Sequence, residues 1–383
     1  MKTQNTTAKG GGQPQSTVYD KIGFGQCGLI FAKRGFGYVV KVARPAFHGG
    51  LWEDFLVHLR LFKALRDYSQ LRRDNTHAVC LIPRVFAYVD HGNTWWDQNQ
   101  PLLPMSDEFP VPSMALLTQR IPPLPETFQG TLVDKYCPIE LQGEVKYSST
   151  NSDCLARVYL GRRRTAGAPL SRNFTLRNFN LCLDQMVELG LPVFDYARAM
   201  AECLAIAHWE ALIDGYDIEF VLSDHTESQA YAPHLTESQG LGVEQIEALP
   251  QHTNLGDPFH PGNSIAFELE NCRTRIWVLD FNLCSRFCRE TIRNREEELV
   301  QHLVLAFFEN DPYYPLPLME ADFDKRLWST FEEEYQSVSE HLLQKSDHMA
   351  ALHLPRKFLD ACVERERQKL EQGHGHGHRD LKG

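Results

Sequence analysis

From Val18 onward the chain alternates apolar and polar positions over short runs, and past residue 190 the apolar spacing lengthens to a helical period. Leu29-Ile30-Phe31-Ala32 and Tyr38-Val39-Val40-Lys41-Val42 flank a turn around Gly35-Phe36-Gly37 and read as two strands of a hairpin. The stripe Leu51, Phe55, Leu59 and Phe62 predicts a helix over 51–62. Residues 81–89 and 113–119 read as further strands on either side of a loop rich in Trp, Asp and Pro. Arg120-Ile121-Pro122-Pro123-Leu124-Pro125 then stiffens the chain as it leaves the sheet and forms a natural hinge.

Beyond the hinge the pattern turns helical. Residues 195–212 place Ala199, Ala201, Leu204, Ala205 and Leu212 on one broad apolar face, with Asp195 placed to cap the start. Residues 213–222 read as a turn entering a strand, and 275–279 as another strand. A helix over 290–308 is stopped by Asn310-Asp311-Pro312-Tyr313-Tyr314-Pro315, and amphipathic helices are expected over 330–346 and 356–371. The expected architecture is α+β and two-lobed: a mainly antiparallel β lobe over 17–121 and a larger helical lobe over 122–365. Residues 223–271, which repeat Thr-Glu-Ser-Gln at 226–229 and 236–239, read as a loop insertion in the second lobe. Residues 1–16 are polar and expected to be disordered. Residues 366–383 form a flexible tail whose exposed histidines, at 374, 376 and 378, could bind a transition metal weakly.

Three segments in fixed order carry the chemistry: Gly23-Phe24-Gly25-Gln26-Cys27-Gly28, Val39-Val40-Lys41-Val42-Ala43, and Trp277-Val278-Leu279-Asp280-Phe281-Asn282. Glycines let backbone N–H groups approach phosphates, a lysine in an apolar strand needs an anionic partner, and an aspartate ending a strand can hold Mg²⁺. A dinucleotide fingerprint would run from its glycines into a helix, whereas these run into a strand. The order resembles the nucleotide site of the protein-kinase fold. That resemblance implies Gly23, Gly25 and Gly28 over the phosphates of ATP, Lys41 on the α- and β-phosphates, and Asp280 on Mg²⁺, with Asn282 where kinases have glycine. The carboxylate partner of Lys41 is expected at Glu53, or at Asp54 beside it.

The catalytic loop departs most from the kinase pattern. After the helix ending near 212, Asp214 and Glu219 have the spacing of the catalytic aspartate and second metal ligand, with Asp217 competing for the nucleophile-facing role. The His-Arg-Asp and Ala-Pro-Glu sequences are absent. A second candidate, Gly256-Asp257-Pro258-Phe259-His260-Pro261-Gly262-Asn263, resembles the catalytic loop of aminoglycoside-phosphotransferase-type kinases, with Asp257 catalytic and Asn263 on metal.

Composition narrows the classes. A formal net charge of −11 provides no electrostatic footprint for nucleic acid or an anionic membrane. No run approaches a membrane span and no signal peptide is evident, so a cytoplasmic protein is expected, with the nucleus left open. The ten cysteines are scattered without a CxxC pair, which argues for reduced core thiols and against structural zinc.

The stretch 18–315 also looks like a fungal family of unknown function whose members are loosely labelled zinc-finger-like. The resemblance rests on Asp153-Cys154-Leu155-Ala156-Arg157-Val158-Tyr159-Leu160-Gly161, Phe174-Thr175-Leu176-Arg177-Asn178-Phe179, Leu183-Asp184-Gln185-Met186, Asp217-Ile218-Glu219-Phe220-Val221-Leu222, Leu279-Asp280-Phe281-Asn282 and Asn310-Asp311-Pro312-Tyr313. It implies a fungal intracellular protein, makes Glu219 and Asp280 a family feature, and names no substrate. Together the readings lead to a kinase-like nucleotide-binding protein. Its expected activity is phosphoryl or nucleotidyl transfer to an unidentified small molecule, with a place in fungal secondary metabolism implied by the resemblance alone. The alternative is an inactive pseudokinase serving as a binding or scaffold module.

Overall fold

A computed structural model describes residues 18–374 apart from 26, 72–79, 105–109, 149–150, 166, 168, 225–244, 247, 250–252, 255–273 and 347–348. The strands are β1 (Tyr19–Phe24), β2 (Gly28–Lys33), β3 (Tyr38–Ala43), β4 (Val85–Val89), β5 (Ala115–Gln119), β6 (Ala156–Tyr159), β7 (Asn180–Cys182), β8 (Glu219–Asp224), β9 (Thr253–Asn254) and β10 (Thr274–Leu279). The helices are α1 (His48–Leu71), α2 (Trp95–Asn99), α3 (Glu126–Tyr136), α4 (Gln142–Tyr147), α5 (Leu183–Glu188), α6 (Val193–Ile206), α7 (Arg289–Asn294), α8 (Glu296–Glu309), α9 (Asp322–Lys345) and α10 (Leu354–Glu371). The chain is therefore α+β, with two sheets and a helical second half.

The first sheet is antiparallel, in the order β1-β2-β3-β5-β4-β9. Its period of two decides which side chains meet the core. Leu29 and Phe31 of β2, Tyr38, Val40 and Val42 of β3, and Ala115 and Leu117 of β5 share one apolar cluster. The intervening Ile30, Val39, Lys41, Leu116 and Thr118 face the opposite way and line a cavity. A slip of one residue in β3 would drive the Lys41 ammonium into the apolar cluster, so the register is strongly specified. Gly28 is required by the same ladder, because a Cβ there would sit 2.4 Å from the Val42 carbonyl oxygen.

Helix α1 covers the cavity-facing side of this sheet with Leu51, Phe55, Leu56 and Leu59, packed on Ala43, Val85, Tyr88 and Leu116. It is longer than the expected 51–62, and its second half enters the main core through Val57, Leu61 and Leu65. Residue 81 adds a second tie between the halves: Leu81 N–H donates to the Ile276 carbonyl at 2.9 Å and Val278 N–H to the Leu81 carbonyl at 2.8 Å.

The segment expected to be a loop insertion in the helical half returns to the first sheet. Asn254 and Thr253 pair with Ala87 and Tyr88, and Ile246 is buried among the α1 residues. Apolar contact and the open edge of β4 draw these residues there, a long-range pairing invisible to local pattern. The second catalytic-loop candidate, with Asp257 and Asn263, lies outside the described residues, as do residues 1–16 and 375–383. The flexible tail expected from 366 is corrected at its start, because α10 runs to Glu371 and buries Glu366 and Lys369.

The second sheet runs β10-β8-β6-β7, with β6 antiparallel to β8 and parallel to β7. Strands β6 and β7 are too short for alternation to show in the sequence. Around the sheet, α6 packs on α9 and α8 on α10. Helix α9 begins at Asp322, eight residues before the expected start, and its first turns already bury Leu327 and Trp328.

Helix α6 continues into a π-helical turn over Ala207–Ala211 that ends at Leu212 with φ 56°. This turn carries a buried polar chain. The Trp209 indole N–H donates to the Tyr335 hydroxyl at 3.0 Å, and Tyr335 Oη lies 2.8 Å from His208 Nδ1. His208 Nε2 lies 3.3 Å from the Asp214 carbonyl oxygen. These partners assign Nδ1 as acceptor and Nε2–H as donor. Burial lowers the His208 pKa to about 4, and does the same for His58, whose Nε2 faces the Pro83 carbonyl at 2.7 Å.

Two outcomes follow from these histidines. Tyr335→Phe leaves the Trp209 N–H and His208 Nδ1 unpaired, costing about 1–3 kcal/mol for each orphaned group; urea unfolding that matches wild type would refute the network. The unfolded chain protonates both histidines near the ordinary pKa of about 6.5, while the native state holds them neutral to about pH 4, so stability falls as pH drops through that window. A urea midpoint constant from pH 7 to 4 would contradict it.

Candidate functional site

A cavity of about 370 Å³ lies between the β1–β2 hairpin and the ends of β8 and β10, within the range of small-molecule sites. Its wall includes Gly23, Gly25, Gly28, Lys41, Asp217, Glu219 and Asp280, so residues far apart in the chain are brought together. Glu53 and Asp214 are not on that wall. The apolar part comes from Ile30, Val39, Leu116, Leu155 and Leu279, surfaces suited to a flat ring.

Lys41 is the centre of the polar part. Its Nζ donates to Asp54 Oδ2 at 2.7 Å and to Asp280 Oδ1 at 2.8 Å. Asp54 is 3% exposed, Lys41 17% and Asp280 37%. Burial alone would lower the ammonium's pKa, but the charges of Asp280 and Asp54 outweigh it and hold Lys41 well above its ordinary value. The Phe281 N–H donates to Asp54 Oδ1 at 3.3 Å, and the Phe281 ring packs on His58 at 4.8 Å between centroids. Helix α1 therefore grips both Lys41 and the turn after β10.

The helix carboxylate is Asp54, and the expectation of Glu53 is corrected. Glu53 points outward, 46% exposed, and pairs with Arg286 at 2.9 Å. Helical phase separates the two: Asp54 and His58, one turn apart, share the inward face. That shared face was the signal available in the sequence.

Asp214 is likewise corrected. It is 2% exposed and serves as a buried acceptor, with Tyr216 N–H at 3.0 Å and Ser285 N–H at 2.9 Å on Oδ1, and His302 Nε2 at 2.8 Å from Oδ2. It knots the loop after α6 to the segment after β10. The turn then proceeds through Gly215 at φ 67° and Asp217 at φ 61°, and this brings Asp217 rather than Asp214 to the cavity. Asp280 also has a positive φ, 64°, a conformation aspartate tolerates better than most residues. The left-handed residue of this turn is thus Asp280 rather than Asn282. Asn282 instead joins the turn to the glycine hairpin, its Nδ2 donating to Cys27 Sγ at 3.0 Å.

Glu219 pairs opposite Leu279 in the β8–β10 ladder, which seats it beside Asp280. It is not free to act alone, because Arg157 Nη2 donates to Glu219 Oε1. Arg157 Nη1 also donates to Asp311 Oδ2 at 3.1 Å, and the Tyr159 hydroxyl donates to the same oxygen at 3.0 Å. Burial pushes the Glu219 carboxyl up against the pull of Arg157, with Asp280, Asp311 and Asp217 adding to the rise. Arg157 is the site residue that sequence motifs missed; a charged residue inside the apolar run 154–160 was its signal.

Four carboxylates on the wall, Asp54, Asp217, Glu219 and Asp280, face two cations, Lys41 and Arg157; Asp153 and Arg120 neutralise each other. The excess negative charge fits a divalent cation. Mg²⁺ characteristically takes one or two carboxylates and completes its shell with phosphates and water, and Asp280 offers such a ligand. Among the described residues, no group of three or more His, Cys, Asp or Glu is arranged to hold a metal on its own. The nine described cysteines are unpaired by disulfides.

Lys41→Met removes the cation from between Asp54 and Asp280. A buried pair broken on one side costs about 3–5 kcal/mol. Burial already holds the Asp54 carboxyl above its ordinary range and Lys41 pulls it down, so without Lys41 it rises further and the folded variant binds a proton that the unfolded chain does not. The deficit is therefore largest at neutral pH and shrinks as pH falls toward 5. Parallel denaturation curves of variant and wild type across that range check this, and a deficit that grows on acidification would overturn it.

Comparison with known proteins places one segment. Over residues 276–347, from β10 through Asp280 to just past the end of α9, the chain matches the model of a family described as zinc finger protein. No curated protein and no solved structure matches the chain. Among the described residues no helix is long and apolar enough to cross a membrane. Over that segment the chain is similar to an uncharacterised family with a zinc-finger description.

Proposed function

We propose that this chain is a kinase-like protein that binds Mg-ATP between its two halves and transfers the γ-phosphoryl group to a small molecule. The observation that carries the reading is Lys41, held at once by Asp54 from α1 and by Asp280 at the end of β10, under a glycine-rich hairpin. A lysine fixed this way is oriented for phosphate oxygens before any ligand arrives, and pre-set orientation is most of what phosphoryl transfer requires of a protein.

The roles follow position. Ile30, Val39 and Leu116 form the apolar bed for the base, and the β1–β2 hairpin covers the phosphates. Asp280 holds Mg²⁺, which when bound neutralises charge on the phosphate oxygens. Asp217 accepts the proton of the acceptor's hydroxyl as its oxygen bonds to the γ-phosphorus; the bond to the β-phosphate oxygen breaks and ADP leaves with that electron pair. The acceptor is small because the kinase peptide-docking sequence after Asp280 is absent.

A second reading, a pseudokinase that binds nucleotide without turnover, is favoured by the Arg157–Glu219 pair, which engages one of the two expected metal ligands. One set of measurements separates the two. Mg-ATP at about a hundredfold over Kd should add about 2.7 kcal/mol of stability, a rise of about 3–6 °C in Tm. Lys41→Ala and Asp280→Ala should abolish the rise. Asp217→Asn should keep the rise and lose ADP production with a panel of hydroxyl and amine acceptors. No shift with wild type, or an equal shift in Lys41→Ala and Asp280→Ala, would sink the nucleotide site; a shift without turnover in wild type would select the pseudokinase.

A further inference from the structure

The Arg157–Glu219 pair is written into the strand register. In the β6–β8 ladder Arg157 lies opposite Val221, and Glu219, two residues along β8, projects from the same face as Val221. A diagonal neighbour at that offset is within reach of a long side chain, so the guanidinium is delivered to the Glu219 carboxylate by backbone geometry. Both residues are on the cavity wall, with side chains 21% and 20% exposed. On its other side the guanidinium is anchored by Asp311, which is itself fixed by the Tyr159 hydroxyl.

Arginine keeps its charge at every accessible pH, and its planar fork suits two carboxylates at once. A guanidinium held between Glu219 and Asp311 is therefore a permanent positive charge on the Glu219 carboxylate. A divalent cation on Glu219 would have to approach that charge or evict it, and eviction would leave the half-buried Asp311 without its cation. A cation at Asp280 meets the Lys41 ammonium instead, but that carboxylate is the more exposed, and Lys41 displaced from it keeps Asp54 as its partner.

We propose that this site takes a single divalent cation, on Asp280, and that Arg157 supplies the second positive charge from within the protein by neutralising Glu219. This rests on the nucleotide-binding reading above, and corrects the expectation that Glu219 is itself a metal ligand. Arg157 is then a positioning residue: it fixes Glu219 and sets how many ions the nucleotide brings with it.

The test is a count of bound Mn²⁺ by electron paramagnetic resonance, with the full chain saturated in the β,γ-imido analogue of ATP. Wild type should bind one ion per chain and give an uncoupled six-line spectrum. Arg157→Gln, which leaves Glu219 without its cation, should bind two ions and show the broadening of a coupled pair. Arg157→Lys, which keeps the charge, should stay at one. Two ions in wild type would overturn the proposal, and this count needs no variant to fold. One ion in a folded Arg157→Gln protein would also overturn it, because Arg157 would not be what excludes the second. Wild type that binds neither analogue nor Mn²⁺ would remove the nucleotide reading itself, a result distinct from a wrong count.

Discussion

The structure turns on one ammonium group. Lys41 sits in a strand of valines, where an uncompensated charge would be costly, and it is held by two carboxylates that lie on elements distant in the chain. Asp54 ties it to α1 and Asp280 ties it to the turn after β10. The first sheet, the helix that spans both halves and the second sheet thereby meet at this ammonium. The direction of every β3 side chain follows, because only one register sends Lys41 to the carboxylates and Tyr38, Val40 and Val42 to the apolar cluster.

Around that point the wall is organised by charge and by turns. Asp214, buried and saturated with donors from Tyr216, Ser285 and His302, locks the loop that presents Asp217. Arg157 reaches across from β6 to Glu219, while Asp280 takes up a left-handed backbone at the end of β10. Anionic groups thus gather on one side of a cavity whose other side is aliphatic.

Much of this was legible in the residues, and the reasons for the exceptions are physical. Strands β2, β3, β5 and β10 announce themselves by alternation, and α6 and α8 by helical period. The cavity residues Gly23, Gly25, Gly28, Lys41, Asp217, Glu219 and Asp280 stood out by type and order. What sequence spacing did not resolve was direction. Glu53 and Asp54 are neighbours in sequence, yet helical phase turns one to Arg286 and the other to Lys41. Asp214 and Asp217 differ by one tight turn, and the positive φ at Gly215 and Asp217 decides which reaches the cavity. Gly28 suited a phosphate cover, but its contact with the Val42 carbonyl shows a requirement of the sheet itself.

The sequence by itself determined the local elements and the chemical inventory: which stretches alternate, which are helical, and which glycines, acids and bases were on hand. Tertiary structure alone decided partnership. The pairing of Thr253 and Asn254 with β4, of Arg157 with Glu219, and of Lys41 with two carboxylates depends on distances closed over tens to hundreds of residues. Periodicity is set by neighbours along the chain, so it can be read locally. Charge pairing is set by which faces the core brings together, and that follows only from the packing of the whole chain.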